Sequence, residues 1–82
     1  MSRLEMKGAL QELKLRKMNL IISADSKIKA IKDELALSAV TPLDEINIDA
    51  VALLSEELKA LKEEYLDTVK KIDALKKELG EK

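Results

Sequence analysis

A chain of 82 residues with no cysteine, no histidine and a single tyrosine as its only aromatic has neither a thiolate nor an imidazole to serve a metal ion or a nucleophile. Its 15 basic and 16 acidic side chains leave a formal net charge of -1, too balanced for a segment built to coat an anionic surface. With 46% hydrophobic and 38% charged residues, the composition is that of a helical bundle or coiled coil, and the length holds one domain with little interior.

Ser2 and Glu5 form an S-x-x-E capping box, which starts the first helix at about residue 3. Gly8 lies inside that helix and costs about 1 kcal/mol relative to Ala. From there an apolar path runs through Met6, Leu10, Leu13, Lys17, Leu20, Ala24, Ile28, Ile31, Leu35 and Ser38. Two successive steps of four, at Leu20, Ala24 and Ile28, are the signature of a stutter in a heptad pattern. Lys17 is the odd member, a long aliphatic stem able to cross the rim of a seam with its ammonium in water.

Around the stutter the apolar face broadens. Leu15, Met18, Ile21 and Ile22 fall beside the path, and a face this wide exceeds what one facing helix covers. Leu15, Met18, Leu20, Ile21, Ile22 and Ile28 are therefore assigned to self-association or a partner.

The first helix is predicted over residues 3–38. Pro42 disfavours helical geometry at Thr41, and Thr41-Pro42-Leu43-Asp44 has the order of a cap, a proline at the first helical position and an acid soon after. One tight helical turn is expected inside a connection spanning residues 39–46. The second helix is predicted over residues 47–79, with Asn47 as cap and Ile46 as a staple onto Val51; Asp49 is the alternative cap, with Ile48 meeting Leu53.

The second helix carries the clearest periodicity in the chain: Val51, Leu54, Leu58, Leu61, Tyr65, Thr68, Ile72, Leu75 and Leu79 alternate in steps of three and four. Tyr65 reads as a core-edge residue with its hydroxyl toward solvent. Leu66 and Val69 flank the seam and leave a weaker capacity for a third contact. Gly80, preceded by Lys76 and Lys77, supplies the stop.

At 1.5 Å per residue the two helices are about 54 and 50 Å long, and a connection of about eight residues returns the second along the first. The expected fold is all-α: an antiparallel two-helix hairpin, coiled-coil-like, forming a single domain over residues 1–82 that dimerises into a four-helix bundle. The intrachain seam is assigned to Leu10, Leu13, Ile31 and Leu35 on the first helix and to Val51, Leu54, Leu58, Leu61, Tyr65, Ile72, Leu75 and Leu79 on the second.

Charge is unevenly placed. Residues 1–38 carry eight basic and five acidic groups, residues 39–49 carry three acidic groups, and residues 50–82 carry seven basic and eight acidic. Pairs such as Asp67 with Lys71 and Asp73 with Lys77 support the second helix, while Glu57 and Glu64 read as solvated flank residues that help set register. Arg3, Lys7, Lys14, Arg16 and Lys17 are the candidate phosphate contacts, diluted by Glu5 and Glu12 and without an aromatic stacking platform. In the homodimer reading, this basic half-helix meets the acidic stretch 56–64 of a second copy, with the connections at opposite ends.

The pattern for catalysis is missing, since Ser2, Ser23, Ser26, Ser38 and Ser55 have no base beside them and Gly8 and Gly80 are isolated. No enzymatic activity, cofactor, metal or small-molecule substrate is expected. No stretch approaches the roughly 20 apolar residues of a membrane span, and Glu5 and Glu12 interrupt any secretory leader. The leading expectation is a cytoplasmic, non-enzymatic module that self-associates as a homodimer or higher oligomer and binds a protein: a small adaptor, assembly factor or inhibitor. The alternative is a nucleic-acid-associated regulator that dimerises through the hairpin.

Overall fold

The computed structural model describes residues 2–36 and 43–80 and is an all-α, antiparallel two-helix hairpin. Helix α1 spans Arg3–Ala36 and helix α2 spans Ile48–Leu79, with one 3-10 turn, Leu43–Glu45, before α2. The expected end of the first helix near Ser38 and the Thr41-Pro42 pair lie outside the described residues. Among those residues, no helix is long and apolar enough to cross a membrane.

Three of the four described helix ends are held by groups the sequence places there. The Glu5 amide donates to Ser2 Oγ at 3.1 Å and opens α1, as a side-chain cap requires. Asn47 caps α2: its Oδ1 accepts from the Ala50 amide at 3.0 Å. Asp49 therefore sits inside the first turn, where its charge faces the positive end of the helix dipole. At the far end Gly80 adopts φ +76°, and its amide donates to the carbonyls of Lys76 and Lys77. A Cβ there would be strained, which is why glycine ends the helix.

The buried seam differs from the apolar path in one respect. On α2 it follows the heptad: Val51, Leu54, Leu58, Leu61, Tyr65 and Leu75 are half-buried, and Thr68, Ile72 and Leu79 are buried. On α1 it runs through Met6, Leu10, Leu13, Lys17, Leu20, Ala24, Lys27, Ile31 and Glu34, alternating steps of four and three without a stutter. Leu35, expected in the seam, is 46% exposed, and Ile28, which lies on the apolar path but is assigned to the partner face, is 38% exposed. An unbroken heptad keeps one stripe against the partner helix, so the slots fall to Lys27 and Glu34. The two apolar residues are carried about 100° round to the side.

Leu10, Ile72 and Leu79 form the tightest packing, with Met6, Leu13 and Leu75 against them. This cluster lies at the end of the hairpin remote from the connection. Arg3 reinforces it by donating from Nη2 to the Leu79 carbonyl at 3.3 Å, satisfying one of the carbonyls that a helix leaves orphaned at its C-terminus.

Candidate functional site

The two long edges of the hairpin differ in chemistry. Along one, Arg16 pairs with Glu64 at 2.6 Å and Lys27 with Glu57 at 2.5 Å. Eleven residues separate the two bases and seven the two acids, so the pairs lie along a single flank and lace the helices together. Each pair is substantially solvated and contributes at most about 1 kcal/mol. Their main effect is on register, because a slip of either helix by one turn breaks both.

The opposite flank is open and apolar. Leu20, Ile21, Ala24, Asp25 and Ile28 of α1 and Leu58, Leu61, Lys62 and Tyr65 of α2 line a groove of about 330 Å³. Its position follows from the sequence: Ala24 occupies a seam slot with one methyl where Leu20, Leu58 and Leu61 of the same groove have isobutyl groups, leaving a hollow between Ile21 and Ile28. Tyr65 helps wall the groove, and Lys17 holds its ammonium 5.9 Å from the centre of the Tyr65 ring, within the range of a cation–π contact.

The residues assigned from sequence to a partner face separate into three environments. Leu20 is only 6% exposed and belongs to the intrachain seam, not to an outward face. Ile21 and Ile28 stand on the groove wall, half covered by α2. Leu15, Met18 and Ile22 are 59%, 60% and 63% exposed and lie on the back of α1. Helical geometry explains the split: Met18 and Ile22 are each two residues from Leu20, so at 100° per residue they point about 160° away from the seam. The expectation that they lie beside the seam holds for Ile21 alone.

The five candidate phosphate contacts are also divided. Arg3, Arg16 and Lys17 are engaged by α2 at the Leu79 carbonyl, Glu64 and Tyr65. Lys7 is exposed and Lys14 half-buried. Sequence reasoning placed Glu57 and Glu64 on a solvated flank and missed their partners. The signal that finds them is the antiparallel register, in which residue numbers on facing helices add to nearly the same sum. Of the expected pairs along α2, Asp67 reaches Lys71 at 3.0 Å; α1 adds Asp25 with Lys29 at 3.1 Å.

Among the described residues no three His, Cys, Asp or Glu side chains are grouped to hold a metal ion, and no buried side-chain nitrogen or oxygen lacks a partner. The groove side of the hairpin thus shows hydrocarbon framed by charge. No family model matches the chain, and neither the curated proteins nor the solved structures give a match.

Proposed function

We propose that this chain is a non-enzymatic interaction module that self-associates through the flank of α1 and binds a protein through apolar helix surface. What supports the reading is the split of exposed hydrocarbon on α1 into a groove flank and a back stripe, Leu15, Met18 and Ile22. A stripe opposite the seam does nothing for a lone hairpin, and exposed contiguous hydrocarbon is costly to keep unless something covers it. The reading embraces a cytoplasmic adaptor, assembly factor or inhibitor, and a four-helix bundle is the natural form of the dimer, since each helix then gains a second neighbour.

Sedimentation equilibrium tests it. The wild-type chain is expected to run as a dimer at micromolar concentration, and the Ile21→Lys/Ile28→Lys chain as a monomer with helical content retained. A wild-type monomer across the accessible range, or an unchanged dimer after the double substitution, overturns the reading. The nucleic-acid alternative loses support from the engagement of Arg3, Arg16 and Lys17 within the hairpin; it requires mobility-shift binding that weakens steeply with salt.

A further inference from the structure

Four of the charged residues on the groove flank have an order that bears on how a second copy sits there. Asp25 and Lys62 both line the groove, one on each helix. Eleven residues from Asp25 toward the open end of the hairpin stands Lys14, and eleven residues from Lys62 in the same direction stands Asp73. Eleven residues make close to three helical turns, so each helix shows both residues on the same flank. Thus α1 presents an acid and then a base while α2 presents a base and then an acid. Lys14, Lys62 and Asp73 form no ion pair among the described residues. Asp25 has only the exposed i, i+4 contact with Lys29, a few tenths of a kcal/mol in strength and open to sharing.

We infer that the groove flank seats a second copy of this chain about a two-fold axis parallel to the helices, with α1 of each copy on α2 of the other and both connections at the same end. This rests on the self-association reading and specifies its geometry. A two-fold interface sets residue i against j and j against i. In this arrangement Asp25 lies about five residues, roughly 7.5 Å along the helix axis, from Lys62 of the other copy, and Lys14 lies equally far from its Asp73; the lysine stems span that offset, and each pair is formed twice. The alternative two-fold, perpendicular to the helices and centred on the groove, sets Asp25 against Asp25 and brings Lys62 near Lys62. Like-charge contacts in a closing apolar groove are strongly unfavourable.

Two considerations oppose the arrangement, and magnitude decides against both. Same-end connections bring together Asp44, Glu45 and Asp49 of each copy, but these are exposed and screened over about 8 Å at physiological ionic strength. Opposite-end packing was expected from the basic half of α1 meeting residues 56–64 of a second copy, yet Arg16 already holds Glu64 of its own chain. The area allows it: the broad side of a hairpin with extents of 60 × 18 × 14 Å is at most about 1,000 Å² per copy, of the order of the roughly 800 Å² per partner of a standard interface.

Asp25→Lys and Lys62→Glu test the inference, separately and mixed, by sedimentation equilibrium with circular dichroism to follow folding. Both positions are exposed. Each variant alone meets like charges and is expected to dimerise at least tenfold more weakly than wild type. An equimolar mixture pairs lysines at 25 and 62 with acids at both facing positions, and is expected to recover the dimer as a heterodimer. A contact within one chain cannot produce that recovery. Single variants that dimerise like wild type, or a mixture no tighter than its components, overturn the arrangement. If they do so while Ile21→Lys/Ile28→Lys remains monomeric, self-association stands and only this geometry falls; a monomeric wild type removes both.

Discussion

Thr68 is buried in the apolar seam, and its hydroxyl donates 2.8 Å back to the Glu64 carbonyl one turn earlier. That carbonyl already receives a backbone amide within α2, so the hydroxyl satisfies itself without satisfying anything else. Thr68→Val keeps the shape and removes a polar group whose loss orphans no partner. Urea unfolding is expected to show a change of less than about 1 kcal/mol in either direction; a loss above about 2 kcal/mol would mean the hydroxyl serves a contact between helices. The position was readable as a seam slot from the spacing of its neighbours. How its hydroxyl is satisfied there was not, because the acceptor is a backbone carbonyl with no trace in the residue pattern. Glu57 and Glu64 were opaque for another reason: their cations are 30 and 48 residues away, and such partners emerge only once the register between helices is fixed.

At the scale of the elements, α2 was legible almost throughout and α1 only in its first half. In α2 the strongest apolar residues, the cap and the stop all agree on one register, and local agreement of this kind is what makes a helix readable. In α1 the side chains at Ile28 and Leu35 argue for one stripe and the heptad geometry for another, and the geometry prevails because an unbroken heptad keeps a single stripe against α2. Reading hydrophobicity alone there produces a stutter that the backbone does not have. The two glycines offer a matched test of local conformation. Gly8 lies within α1 with nothing within 4 Å of an added Cβ, so Gly8→Ala is expected to stabilise by about 0.5–1 kcal/mol. Gly80 sits at positive φ, so Gly80→Ala is expected to destabilise by a similar amount. Thermal unfolding of the two variants checks both signs.

For the molecule as a whole, thinness governs behaviour. The core within one chain is a single line of contacts, and the chain is barely longer than the roughly 70–80 residues below which one core rarely supplies more than about 3–5 kcal/mol. Under the proposed self-association, burial against a second copy becomes part of the stability of the fold. The midpoint of thermal unfolding is expected to rise with protein concentration, as mass action requires of a folded state that is also an associated one. A midpoint constant over a hundredfold range of concentration would show that the hairpin stands alone. The hairpin itself was legible in the sequence from two long periodic segments and a proline-marked connection. The inequality of its two long edges was not, since it depends on which flanking residues meet across the gap.

That inequality sets how the molecule can deform. With Arg16–Glu64 and Lys27–Glu57 stitched along one side and the other left unlaced, the pair of helices resembles a book bound at its spine. A body pressed between the free margins swings the covers apart about the stitching, whereas sliding one cover along the other would tear every stitch at once. The two ion pairs resist slippage more than opening, so the alignment of the two helices is held more firmly than the width of the cleft between them.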